Sequence, residues 1–397
     1  MAEKEPQARQ KLILLILIGI LYSVSIAYVF ANLPGHQDTD DLYPRWYASR
    51  MLLTTGRSLY DGANSVEVAR GWPFVHQIGY YYPAYLLIFT APLSLLPFMA
   101  ARIIWTVFGL WCVWLGMAIF ARSLRPGLSI NRLTVLLVLV TVSVPVLQHT
   151  LNAQFNALGV LALALTYQTL SRQKYLHAGL WAGGLLFKPQ ATLVPLLCLL
   201  IWTSLKQERR YFWLGLGGIS LAFWVLAELL EPNWLVTFGQ ALGHYESTRS
   251  VIDNVWNPYQ IVSLTLLIAT VWLTFYLRHA PLSSPAFSGL LIWSISLNWL
   301  IVPLYGMLHM VLAGIPFIVL LSGYNQLYPQ LSRWVWGGMV GLFLVGLMAF
   351  IGPLFLQGTS GLQITMAELV YKILMPVVSA GAALVLVFKY RKGTLDF

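Results

Sequence analysis

Residues 133–171 read LTVLLVLVTVSVPVLQHTLNAQFNALGVLALALTYQTLS, and no Asp, Glu, Lys or Arg interrupts the chain between Arg132 and Arg172. A soluble domain carries a charged residue at roughly every fourth position. A charge-free stretch this long, dense in Leu, Val and Ala, suits two passes through a hydrocarbon core of about 30 Å. The rest of the 397-residue chain has the same character, with 58% hydrophobic and 10% charged residues and a mean hydropathy of +0.71. Too little polar surface remains to cover a water-facing globule, which excludes a soluble enzyme, a disordered protein and a nucleic-acid binder. The formal net charge of +10, from 24 Lys and Arg against 14 Asp and Glu, then reflects the enrichment of basic residues in cytoplasmic loops. Cys112 and Cys198 both lie inside apolar runs, so there is no disulfide framework. The fold class is an all-α, polytopic integral membrane protein.

The charges gather near the start of the chain. The first 75 residues hold 14 of the 38, including Asp38, Asp40, Asp41 and Asp61 among six aspartates. A basic segment with Lys4, Arg9 and Lys11 precedes an apolar run over residues 12–33, read as a first transmembrane helix with a cytoplasmic N-terminus. No clean small-residue cleavage site follows it, so it is read as retained. Residues 34–81 form an outer loop, in which Leu42–Thr55 reads as a short interfacial helix carrying Arg45, Trp46, Tyr47 and Arg50. Gly56 ends that helix, Tyr60-Asp61-Gly62 reads as a turn, and the chain re-enters lipid near Tyr82-Pro83.

Residues 82–321 read as a transmembrane core and 322–397 as C-terminal transmembrane helices, together one integral-membrane domain over 1–397 with about 11–13 spans. Basic clusters at Arg172–Lys174, Lys206–Arg210, Arg278, Arg333 and Lys389–Lys392 are placed in the cytoplasm, which leaves residues 149–156, 188–190, 231–258, 303–309 and 352–367 outside. Strict alternation then puts Arg122, Arg125 and Arg132 outside, against the rule. A half-crossing or broken helix between residues 83 and 149 resolves the conflict. Neither a 20–50-residue period nor an inverted pair of halves is visible, which weakens a transporter reading.

Polar groups at membrane depth are costly, so each is a candidate for chemistry. Asp40 and Asp41 open the interfacial helix, where one aspartate serves as an N-cap. Three aspartates within four positions exceed that need. They suit either a divalent cation held through oxygen ligands or a carboxylate acting as general base on a hydroxyl. Lys188, at the proline break before Gln190, reads as a lysine that meets a lipid phosphate or one that merely snorkels. Asn152, Gln154 and Asn156 form an amide cluster that could equally cap the next helix. His309 is a structural or a functional histidine, Arg45 and Arg50 suit headgroup anchoring, and Glu228 and Glu231 are expected to face water.

In sequence order these motifs resemble glycosyltransferase family 87, a family of C-type integral-membrane glycosyltransferases that includes polyprenyl-phosphate-mannose-dependent mannosyltransferases. The likeness is carried by Asp41-Leu42-Tyr43-Pro44-Arg45-Trp46 with Leu59-Tyr60-Asp61, by Tyr82-Pro83, and by Asn152-Ala153-Gln154-Phe155-Asn156, similar to a Gly-Gln-x-Asn element with Ala153 in place of glycine. Ala178-Gly179-Leu180 through Lys188-Pro189-Gln190, and His309 after Pro303, complete it over residues 12–320. The resemblance implies inverting transfer of a sugar, mannose or another hexose, from a polyprenyl-phosphate donor to a lipid-linked or glycan acceptor. The site would lie on the extracytoplasmic face of the cell membrane. It makes Asp41 and His309 catalytic, with Asp41 the general base. Asp40, Arg45, Asn152, Gln154, Asn156, Lys188 and Gln190 become substrate-binding residues. No cofactor is implied, although Asp38, Asp40 and Asp41 leave room for a divalent cation. Two other readings are a lipid or solute transporter and a non-catalytic subunit of an envelope-glycan assembly complex.

Overall fold

In a computed structural model, the chain is described over residues 4–32, 41–71, 79–124, 128–204, 206–248, 258–301, 307–355 and 369–391. These residues form helices and no strand, as expected for a chain that must satisfy every backbone hydrogen bond in lipid. Two helices are long and apolar enough to cross a membrane, Phe98–Ser123 and Gln207–Leu230, and a third crossing results if Ile130–Thr141 and Val144–Leu151 form one broken span. Shorter apolar helices of 10–17 residues accompany them. The chain divides into two compact units.

The first unit comprises residues 1–111, 150–154 and 230–242. It contains α1 (Lys4–Asn32), α2 (Leu42–Thr55), α3 (Gly62–Gly71), α4 (Leu87–Ser94) and the first half of α5 (Phe98–Ser123). Along α1, Leu17, Leu21 and Tyr28 are exposed, the pattern of a helix that presents apolar side chains to lipid. The expected interfacial helix is α2, with the expected bounds. Gly56 closes it at φ +70 and donates its N–H to the Leu52 carbonyl, a left-handed cap that glycine adopts without a Cβ penalty. The turn at Asp61 in fact starts α3: its carboxylate accepts the Ala63 N–H at 2.8 Å, the bond an N-cap makes.

The chain was expected to re-enter lipid near Tyr82-Pro83, with a half-crossing or broken helix between residues 83 and 149. The helical part that follows Pro83, Ala84–Ser94, rises only about 16 Å, half a bilayer core. It packs along α2. Tyr60 donates its hydroxyl to the Tyr82 carbonyl at 2.8 Å, Ser49 bonds Thr90 at 2.8 Å, and the Trp46 indole donates to the carbonyls of Leu93 and Leu96, each at 3.1 Å. Both ends of the segment are therefore bonded to residues between Trp46 and Tyr60. One correction concerns Glu231. Expected in water, it is buried and accepts the Ser58 hydroxyl at 2.6 Å and the Leu59 N–H at 3.0 Å, tying the connection between α2 and α3 to the segment before α12 (Trp234–Thr248).

The second unit comprises residues 112–149, 155–229 and 243–397. It holds the rest of α5, then α6 (Ile130–Thr141), α7 (Val144–Leu151), α8 (Asn156–Ser171), α9 (Tyr175–Ala182), α10 (Pro189–Ser204), α11 (Arg210–Leu230), α13 (Pro258–Tyr276), α14 (Pro285–Ile301), α15 (Gly314–Leu327), α16 (Ser332–Phe355) and α17 (Met375–Arg391). Between α6 and α7 the axis bends by 54°, where Pro145 offers no N–H and the Ser143 hydroxyl turns back to the Val140 carbonyl at 2.5 Å. Helix α14 is the central element, packed against α10, α13, α15 and α17. Cys198, Leu273, Leu277, Ala286, Leu290 and Val387 form one apolar cluster there. Both cysteines are buried free thiols. At the α9–α11 crossing, Gly179 and Gly215 face each other's helix: a Cβ on Gly179 would overlap the Phe212 carbonyl, and one on Gly215 the Leu176 carbonyl. Such small-residue contacts let helix backbones approach in lipid, where apolar burial no longer drives association.

Candidate active site

Asp41 stands at the start of α2 with helical backbone angles, φ −74 and ψ −11, and its side chain makes no capping bond. The carboxylate is turned to other partners. Gln154 donates its amide to Oδ2, and the Arg45 guanidinium lies 3.7 Å from Oδ1 while also donating to the Asp41 carbonyl. The Asp41 N–H donates to the Asn152 carbonyl at 3.1 Å. Arg45 is fully buried, with its Cζ 4.6 Å from the centre of the Tyr82 ring, so it is no headgroup anchor. Tyr82 donates its hydroxyl to the Gln154 Oε1 at 3.5 Å. Of this group Gln154 is 1% exposed and the Asp41 side chain 14%. The Asp41 carboxylate is thus held by buried partners and remains partly exposed.

The turn that presents Gln154 is held as firmly. Ala153 adopts φ +46, a left-handed conformation that costs a non-glycine residue about 1–2 kcal/mol. The position matches the glycine of the Gly-Gln-x-Asn element. Trp105 donates its indole to the Ala153 and Gln154 carbonyls at 3.0 and 3.2 Å, and Arg102 donates to the Leu151 carbonyl at 3.3 Å. The carbonyls of this turn therefore find partners without water, which keeps a buried irregular backbone tolerable.

The other expected site residues lie in the second unit. Asn156, the first residue of α8, is 1% exposed; the helix has no side-chain cap, so capping does not explain the amide cluster. Lys188 is 6% exposed and so does not snorkel. It sits between a 3₁₀ turn, Gly183–Phe187, and α10, where Pro189 interrupts the helical hydrogen bonds. His149 of α7 is likewise buried, 3% exposed, and its Nδ1 has no hydrogen-bond partner among the described residues. The Gln190 side chain is exposed, and its carbonyl accepts from Asn298 at 2.9 Å while the Asn298 Oδ1 accepts the Val194 N–H at 2.9 Å. One amide thus takes both partners of what would be a single i→i+4 helix bond. His309 falls in the 3₁₀ helix Met307–Ala313, but its side chain lies outside the described residues, as do Asp38, Asp40 and Arg125. Among the described residues no group of three or more His, Cys, Asp or Glu could hold a metal ion.

Further along α2, Tyr47 donates its hydroxyl to Glu67 of α3, which also accepts from Arg57 at 2.8 Å. The Tyr47 hydrogen bond, helped by that of Arg57, holds the Glu67 carboxyl below its ordinary value. Burial, with the Glu67 hydrogen bond, pushes the Tyr47 phenol up to about 12.

The sequence profile of glycosyltransferase family 87 matches residues 80–345. The chain belongs to glycosyltransferase family 87. It is accordingly a glycosyltransferase, embedded in a membrane by apolar helices. The matched range includes Gln154, Asn156, Lys188, Gln190 and His309 and extends past residue 320, whereas Asp41 and Arg45 precede it. No match is found among curated proteins, and none among solved structures. Within this glycosyltransferase the sequence reading passed over Arg102, His149 and Asn298, and gave Tyr82 no place beside Asp41. Arg102 carried a legible signal, an arginine inside an apolar run. His149 and Asn298 carried none, because a lone histidine or asparagine has no spacing that marks its partner.

Proposed function

We propose that this family 87 glycosyltransferase moves a sugar, mannose or another hexose, from a polyprenyl-phosphate donor to a lipid-linked or glycan acceptor on the extracytoplasmic face. The observation that carries the reading is the state of Asp41, whose carboxylate is freed from capping, braced by Gln154 and Arg45, and partly open. In the proposed step Asp41 takes the proton of an acceptor hydroxyl. The oxygen attacks the anomeric carbon as the bond to the phosphate oxygen breaks, so one displacement inverts the configuration. Lys188, buried at a helix break, and His309 are assigned to the charge of the departing phosphate. Arg45, sealed under Asp41, is assigned to holding the base.

The short segment before α5 supports the proposed sidedness. With Ala84–Ser94 left out of the crossings, alternation from a cytoplasmic N-terminus returns Arg122 and Arg132 to the cytoplasm beside the other basic clusters, as the positive-inside tendency requires. Asp41 then faces outward. The donor class is tested with the full-length protein in lipid vesicles, offering polyprenyl-phosphate hexoses and nucleotide hexoses in parallel and reading the acceptor's mass. A shift of one hexose with the lipid-linked donor alone is expected. Transfer from a nucleotide sugar without the lipid donor would overturn the proposal.

A further inference from the structure

The second unit contains a cavity of about 690 Å³ at the end of α8 remote from Asn156, about 24 Å along the helix. Among the described residues four cations line it, Arg122, Arg172, Lys206 and Arg209, against one carboxylate, Glu208. None of the four is in an ion pair among the described residues. Arg122 and Arg172 are exposed and Lys206 half-buried, and basic residues at cytoplasmic helix ends explain these three without a ligand. Arg209 is different. It is 4% exposed, stacked with its Cζ 3.3 Å from the Trp202 ring centre, and bonded through Nη1 to the Trp202 carbonyl at 2.9 Å. Its Nε has no partner among the described residues. A buried guanidinium with an idle donor is expensive unless a counter-charge completes it. The cations around it, in no ion pair among the described residues, repel one another across the wall.

We propose that this cavity is a second binding site, for a phosphate group, and that its usual occupant is the headgroup of an anionic membrane lipid. Guanidinium forks match phosphate oxygens in pairs, and basic pockets between helix ends commonly hold anionic lipid headgroups. The volume exceeds that of a free phosphate ion and suits a headgroup with its glycerol, and the apolar Leu170 and Val319 in the same lining give the first methylenes a surface. Being at the far end of α8 from the amide element, the site does not take part in sugar transfer. It anchors and stiffens the converging helix ends.

The test uses the full-length protein and the double variant Arg172→Gln/Lys206→Gln, whose side chains are not buried; a Trp-fluorescence unfolding curve confirms that it folds. Binding is measured by native mass spectrometry with phosphatidylglycerol or phosphatidylcholine, and by the unfolding midpoint with inorganic phosphate in neutral detergent. The expected result is retention of phosphatidylglycerol over phosphatidylcholine, with roughly 30-fold weaker retention in the variant, as two headgroup contacts are lost. Stabilisation of the wild type, but not of the variant, by inorganic phosphate with no gain from the lipid would keep the phosphate site and overturn the lipid as its occupant. Equal binding by wild type and variant, or no preference for anionic lipid and no phosphate effect, would overturn the site itself.

Discussion

A non-glycine residue at φ +46 is strained, and Ala153 holds that conformation while 2% exposed and pinned through its carbonyl by Trp105. Ala153→Gly relieves the strain but loosens the unfolded chain. The expected net gain is about 0.5–1 kcal/mol in unfolding free energy, with transfer activity retained; calorimetry in detergent that found the variant less stable would contradict the account of the turn. Glu67 gives a pH effect of definite sign. Its folded pKa is held below the ordinary 4.5 by Tyr47 and Arg57, so the contribution is complete above that value and lost as pH falls through the folded one. The unfolding midpoint of the wild type is therefore expected to fall more on acidification than that of Glu67→Gln, and parallel acid profiles would refute it. At this scale the sequence was uneven. Asp41 and Gln154 could be singled out, but their pairing across 113 positions could not, because no local pattern reports which polar groups meet in the fold.

At the scale of elements, chemistry that acts locally was legible. Helix α2 has its expected bounds because Gly56 marks its end and aromatic and basic residues mark its place. The apolar runs became helices because lipid leaves the backbone no other partner. Helix α3 was missed although Asp61 is an ordinary cap. The packing of Ala84–Ser94 was not legible, because a half-crossing helix and a short span have the same composition; the bonds from Trp46 and Tyr60 show which residues hold its two ends. Gly179, noted as part of a family element, proves to be a packing residue against α11. Gly179→Ala must push α9 from the Phe212 carbonyl and is expected to cost about 1–3 kcal/mol, seen as a lowered unfolding midpoint in detergent. An unchanged midpoint would mean that the two helices do not depend on that approach.

For the whole molecule, scarcity of charge is informative in two ways. With 10% charged residues, lipid has excluded ions wherever they serve no purpose, so buried Arg45, Arg102, Lys188 and Arg209 point to function or to binding of the irregular backbone. The basic excess, first read as topology alone, includes three arginines too deeply buried for that explanation, Arg45, Arg102 and Arg209. The central claim is that Asp41 is the base of a sugar transfer. It is tested most directly by reconstituting wild type and Asp41→Asn in lipid with a labelled polyprenyl-phosphate hexose and acceptor, after matched unfolding midpoints show both to be folded. The account predicts a loss of turnover of at least ~10²-fold in Asp41→Asn, and undiminished turnover by that variant would contradict it.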